Sequence, residues 1–226
     1  MKKITIGCAT PLCMEDFEKT PLYKSFIQLK KIYDLSEINF NFITNNTKGL
    51  PEVYNMLLRN PMYEKDILVL VHDDVLIEDL FFREKLNNSP YIITGLAGCN
   101  SINLNKPSAW HLLCNSPSNM LGEVAHSKED KTWTTVFGPT TGRALLIDGL
   151  FIAIDMEKFL PYNVNFDEDF KFHHYDISFC LRCNSSKITV GVQPIKVNHY
   201  GLGDSMYSDE WGKSADIFKR KYQNNI

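Results

Sequence analysis

The 226-residue sequence predicts a single α/β domain, a mainly parallel sheet flanked by helices. Strand-like and helix-like patterns alternate three times over about the first 100 residues, as β-α-β units require. The run Ile67-Leu-Val-Leu-Val71 is apolar throughout and reads as a buried strand. No internal repeat, low-complexity tract or linker divides the chain, so residues 1–226 form one domain with room for a substantial core.

Ile4 to Cys8 is the first strand. Leu22, Phe26, Leu29 and Tyr33 recur at helical intervals and predict a helix over Phe17 to Asp34. Ile38 to Ile43 alternates as a strand, and Asn45-Asn46-Thr47-Lys48-Gly49 is a turn. Pro51 suits the start of a helix carrying Val53, Tyr54, Leu57 and Leu58. The Ile67 to Val71 strand, a helix from Glu78 to Asn87 and a strand from Tyr91 to Leu96 complete this half. Residues 99 to 142 lack a clear period, and so long a stretch inside one domain reads as a functional surface. Strands at Ala144 to Asp148 and Leu150 to Ile154 follow, then a short helix at Met156 to Leu160. An acidic, aromatic segment, Phe166 to Phe172, precedes a helix from Tyr175 to Asn184 and a strand from Ile188 to Val192. His199-Tyr200-Gly201-Leu202-Gly203 is a glycine-bearing loop. Tyr207, Trp211, Ala215, Phe218 and Tyr222 have helical spacing, so the tail packs back on the domain.

A net charge of −3 and the absence of a basic stripe argue against a nucleic-acid partner. Of six cysteines only Cys180 and Cys183 are close, with no second pair to complete a zinc site, so free thiols in a reducing cytosol are expected. Met1-Lys-Lys-Ile is a strand start, because no apolar stretch follows the lysines as in a signal peptide. No window reaches the ~20 apolar residues of a membrane span. The expected location is cytoplasmic, and peripheral attachment to the inner membrane is compatible with the sequence.

Chemistry concentrates in three places. The buried strand ends abruptly in His72-Asp73-Asp74, where an α/β sheet binds ligands and where paired carboxylates suit a hard divalent ion holding a phosphate. For this fragment alone, a solvated acidic turn is the competing reading. Asp176 lies in the first turn of a helix with a buried face, favoured by the helix dipole and held rigidly as a general base must be. His199 follows a strand, beside a glycine that lets a ligand approach the backbone, and its imidazole suits Mn²⁺.

In order, these segments resemble the family 2 type of glycosyltransferase on the GT-A fold. The likeness is closest to small bacterial members carrying a Val-His-Asp-Asp-Val segment, here Val71 to Val75. It runs through Thr44-Asn45-Asn46, Val53-Tyr54-Asn55, Asp148-Gly149-Leu150-Phe151, Phe166-Asp167-Glu168, His174 to Arg182, and His199-Tyr200-Gly201. The resemblance implies that 1–98 binds a nucleotide-sugar and that 99–226 binds the acceptor and carries the catalytic residue. It makes Asp176 the catalytic base, and Asp74 and His199 the contacts to Mn²⁺ or Mg²⁺. Thr10, Pro11, Asn45, Asn46, Tyr54, His72, Asp73 and Asp148 become donor-binding residues. His72 departs from the family's usual first Asp, and Tyr175 from its usual Glu. Trp110, His111, Trp133, Arg143 and His174 are the candidates for acceptor recognition, and both tryptophans fit a core role equally. The implied donor is a nucleoside-diphosphate sugar, UDP-linked for preference, and the implied acceptor a glycan or lipid-linked hydroxyl in surface polysaccharide synthesis.

Two other functions are compatible with an α/β sheet and a carboxylate-bound metal. A nucleotidyltransferase needs a glycine-rich, basic loop after the first strand, which Thr10-Pro-Leu-Cys-Met-Glu-Asp16 lacks. A non-catalytic nucleotide-sugar-binding module has no need of Asp176.

Overall fold

The computed structural model describes residues 1–201 and 208–223. Leu202 and Gly203 of the predicted glycine-bearing loop, and Tyr207 of the tail, lie outside the described residues. In chain order the elements begin β1 (Ile4–Ala9), α1 (Met14–Phe17), α2 (Pro21–Leu29), β2 (Ile38–Ile43), α3 (Leu50–Leu58) and β3 (Ile67–Val71). Next come β4 (Val75–Ile77), α4 (Phe82–Asn87), β5 (Ile93–Gly95), β6 (Ala97–Cys99) and α5 (Trp110–Leu113). The central strands are β7 (Met120–Lys128), β8 (Lys131–Val136), β9 (Gly142–Ala144), β10 (Leu146–Ile147) and β11 (Phe151–Asp155). The chain continues through α6 (Met156–Phe159), α7 (Tyr175–Ser185), β12 (Val190–Val192), β13 (Val197–His199) and α8 (Asp209–Phe218).

These elements build a mixed α/β domain around two sheets. The larger has the order β2-β1-β3-β11-β5-β12-β9. Strands β2, β1 and β3 run parallel, β11 opposes both β3 and β5, β12 follows β5, and β9 opposes β12. The sheet is therefore mixed, where the sequence led us to expect a mainly parallel one. The second sheet has the order β10-β6-β7-β13-β4, with β8 paired to β7. Pairing of β3 with β11, β5 with β12, and β4 with β13 ties the two sequence halves into one unit.

Local chemistry explains the best-defined elements. Thr20 caps α2 by accepting from the Tyr23 N–H at 3.2 Å, and Pro21 takes the first helical position. The helix stops at Leu29, short of the expected Asp34, and Tyr33 turns away to place its ring edge-on to Phe82. Phe40 and Phe42 of β2 pack on Phe26 of α2 at 4.8 and 5.5 Å. All five residues of β3 are buried, since the strand lies between β1 and β11.

Departures from the sequence reading mark places where the chain changes sheets. The strand expected over Tyr91 to Leu96 is β5 in the larger sheet and then β6 in the smaller, divided at Leu96. Ala144 to Asp148 divides likewise at Leu145 into β9 and β10. The helix expected from Glu78 starts only at Phe82, because Val75–Ile77 pairs with β13 and the Asp79 carboxylate accepts from the Phe81 and Lys196 N–H groups. Residues 99 to 142, expected as irregular, carry α5 and the long β7–β8 hairpin. The six cysteines are free thiols, five of them buried. Among the described residues no helix is long and apolar enough to cross a membrane.

Candidate active site

The C-terminal ends of β1, β2 and β3 leave the larger sheet on one side, and the His72-Asp73-Asp74 turn follows β3 directly. Its backbone is fixed on three sides. The His72 N–H donates to the Leu150 carbonyl, the Leu22 N–H to that of Asp73, and the Tyr200 N–H to that of Asp74 at 2.8 Å. The three side chains therefore have distinct jobs. Asp73 accepts a hydrogen bond from the Thr10 hydroxyl. The ring of His72 stacks on Phe172 at 5.6 Å and meets the Tyr175 hydroxyl at 2.8 Å. That hydroxyl donates to the Gly149 carbonyl at 2.7 Å, so His72 must donate from Nε2.

Asp74 faces His199 of β13, Oδ2 to Nε2, at 3.3 Å. Burial raises the Asp74 carboxyl pKa, but the hydrogen bond and charge of His199 outweigh it and hold it below the usual range. Burial likewise lowers His199, and Asp74, with the charge of Asp148, more than reverses this. Asp74 Oδ1 and His199 Nδ1 are buried with no hydrogen-bond partner among the described residues. Gly201 leaves room here, since a Cβ on it would come within 2.3 Å of Asp74 Oδ2 and 2.4 Å of His199 Nε2. One carboxylate and one imidazole beside this space are a donor pair of the kind Mn²⁺ accepts, whereas Mg²⁺ favours oxygen alone. Among the described residues no group of three or more His, Cys, Asp or Glu side chains is placed to hold a metal ion.

Asp148 and Asp176 form the other pole. Asp148 precedes β11 and is held by the Trp110 indole N–H at 2.6 Å and the Leu150 N–H at 3.0 Å. Asp176 sits in the first turn of α7 and accepts from the Gly149 N–H at 3.1 Å. A Cβ on Gly149 would collide with the Tyr175 hydroxyl at 2.5 Å, so glycine permits this close approach. Burial, then the charge of Asp148, pushes the Asp176 carboxyl up to about 7, against the hydrogen bonds that favour its ionised form. A rigid carboxylate poised near neutral pH is suited to take a proton.

A cavity of about 600 Å³ joins these groups, lined by His72, Asp74, Trp110, His111, Asp148, Asp176 and His199 among others. A second, of about 370 Å³, shares His72, Asp74 and Phe172 with it and reaches Pro11, Asn46 and Asp73. The cleft thus takes residues from both halves of the sequence.

Several expected residues have other roles. Tyr54 is buried, with its ring against Phe166 and Tyr175 at 5.4 and 5.7 Å, so it is core and not a donor contact. Thr10 is buried and acts through Asp73, and Asn45 is exposed outside both cavities. Trp133 lies on β8, stacked on His126 at 5.5 Å, and Arg143 is exposed on the edge strand β9, so neither lines the cleft. His174 lines the larger cavity, but its ring nitrogens meet Ser108 at 2.9 Å and Ser214 at 2.8 Å. Burial, then the neighbouring His173, lowers its pKa to about 4. It therefore clamps α8 to α7 as a neutral imidazole. Phe172, His173, Lys48, Lys171 and Trp211 line the cleft without having been expected there. The dense aromatic and histidine content just before Asp176 was the available signal for the first two.

No family model matches the sequence, and no curated protein matches it. Among solved structures the chain is similar to the crystal structure of A197 from STIV, at 13% identity and a TM-score of 0.52. The alignment covers 88% of this chain and 86% of that one, a likeness of fold alone.

Proposed function

We propose that this chain is an inverting glycosyltransferase of the GT-A type, moving a sugar from a nucleoside-diphosphate sugar to an acceptor hydroxyl. The observation that carries the reading is the buried Asp176, with a carboxyl pKa of about 7, in the cavity that also reaches the Asp74–His199 pair. Parallel β2, β1 and β3 bring Pro11, Asn46 and Asp73 to the smaller cavity, which we assign to the nucleotide. The larger cavity then takes the transferred sugar and the acceptor.

Asp176 removes the acceptor hydroxyl's proton while that oxygen attacks the anomeric carbon. The bond from this carbon to the diphosphate oxygen breaks on the opposite face, and the nucleoside diphosphate leaves with the electron pair. Positive charge on the sugar ring is stabilised by Asp148, which the Trp110 indole fixes in place. Asp74 and His199 are the residues that would hold Mn²⁺ or Mg²⁺, and such an ion would supply a Lewis acid for the charge on the departing diphosphate. His72 occupies the first position of the acidic motif as an oriented hydrogen-bond donor to Tyr175.

The test is turnover across UDP-, GDP-, dTDP- and CMP-sugars with candidate glycan and lipid-linked acceptors, with and without Mn²⁺. Turnover by the wild type and its loss in Asp176→Asn are expected. Binding without turnover in both proteins identifies a binding module, and stabilisation by no nucleotide removes the reading. The proposed setting is the cytoplasmic face of the membrane, in surface polysaccharide synthesis.

A further inference from the structure

Charge is distributed unevenly between the two connected cavities. The smaller is lined by Lys48 and Lys171. The larger has Asp74, Asp148 and Asp176 on its walls and no Lys or Arg among its described lining residues. Of the histidines on its walls, His199 is committed to the Asp74 carboxylate at 3.3 Å. Burial lowers the pKa of His111, His173 and His174, so these rings are neutral at pH 7. Asp148 and Asp176 are held in fixed positions by the hydrogen bonds from Trp110 and Gly149, so neither can swing away from an incoming anion. Trp110, Trp211 and Phe172 add aromatic surface to the walls.

We infer that the transferred sugar is uncharged, and that donors whose sugar carries a carboxylate are rejected at the larger cavity. The inference rests on the glycosyltransferase reading and narrows its substrate class. A diphosphate meets Lys48 and Lys171 in the smaller cavity and the ion that Asp74 and His199 would hold, whereas a carboxylate on the sugar ring meets the fixed Asp148 and Asp176. Like charges in a partly buried cleft repel several-fold more strongly than in water. Aromatic surface and hydrogen-bonding carboxylates instead match the C–H faces and hydroxyls of a neutral hexose.

The full chain is titrated by calorimetry with UDP, GDP, dTDP and ADP. Each diphosphate that binds is then compared as matched hexose and hexuronate esters in the glucose, galactose and mannose series. Every hexuronate is expected to bind about tenfold or more weakly than its hexose partner. Equal or tighter binding of a hexuronate overturns this inference and leaves the glycosyltransferase reading standing. Binding of no diphosphate overturns both. His111→Arg places a cation in the larger cavity and is expected to shift the hexuronate-to-hexose affinity ratio by about tenfold towards the hexuronate. An unchanged ratio in this variant also overturns the inference.

Discussion

Asp176 shows how one residue can serve chemistry at a cost to stability. Its carboxyl is near 3.9 in an unfolded chain and about 7 in the fold, so the folded state holds the proton more tightly between those values. Stability from this group is fully present below pH ~4, declines as pH rises, and is lost above ~7. Asp176→Asn keeps an acceptor for the Gly149 N–H and removes the buried charge. The variant is expected to gain about 1–3 kcal/mol at pH 8 and nothing at pH 4, read from urea midpoints at both values. The same ionisation governs activity with the opposite sign. Wild-type kcat/KM should fall as pH drops through about 7, where the base takes up its proton. The asparagine variant should lose about 10²–10⁴-fold in kcat while the donor's Kd, measured by calorimetry, changes little. The Asp74–His199 pair makes a separate prediction. If the two hold the cation, Asp74→Asn abolishes the rise in Tm that Mn²⁺ gives together with a nucleoside diphosphate, and leaves the metal-free Tm within a few degrees.

At the scale of elements, the segment between α6 and α7 decides the shape of the cleft. Asn55 of α3 holds it by accepting from the Phe166 N–H at 2.8 Å and donating to the Phe166 carbonyl at 3.0 Å. Phe166 stacks on Phe179 of α7 at 3.8 Å, and the Leu50 N–H donates to the Lys171 carbonyl at 2.7 Å. Helix α3 thereby positions Phe172 and His173, and its first residue, Leu50, itself lines the smaller cavity. Asn55→Ala leaves the Phe166 amide and carbonyl buried without these partners, at about 2–3 kcal/mol by denaturant unfolding. Its loss should also raise the donor's KM more than it lowers kcat, because the loop positions groups and performs no step of the reaction. The β7–β8 hairpin was hidden in the sequence by its polarity. Lys131-Thr-Trp-Thr-Thr-Val136 is almost wholly exposed, so no apolar alternation marks it. Its β-branched residues and the turn at Glu129, with φ of 53°, were the signal available.

Over the whole molecule, the sequence halves share both sheets, so neither half has a sheet of its own. Trp110, Trp133 and Trp211 all lie after residue 98, so indole fluorescence reports on the second half while far-UV circular dichroism reports on both. The two probes should give coincident urea transitions, and separated midpoints would show that the halves unfold independently. The same interleaving puts Asp74 and Asp176, from different halves, in one cavity.

By itself the sequence determined the strands β1 to β3, the helix α7 and the acidic turn after β3. Each is set by a pattern within a few residues, an alternation, a helical period or an apolar run cut short by charge. It also marked Asp74, Asp176 and His199 as candidates, which the fold gathers into one cleft. Only the tertiary structure placed β11 antiparallel between β3 and β5, because strand direction depends on how distant segments meet. Only it separated Trp110 in the cleft from Trp133 and Arg143 outside, and turned Tyr54 and His174 into packing and clamping groups. The elevated pKa of Asp176 has the same origin. Its burial and the charge of Asp148 come from segments far apart in the chain, and such fields exist only once the chain has folded.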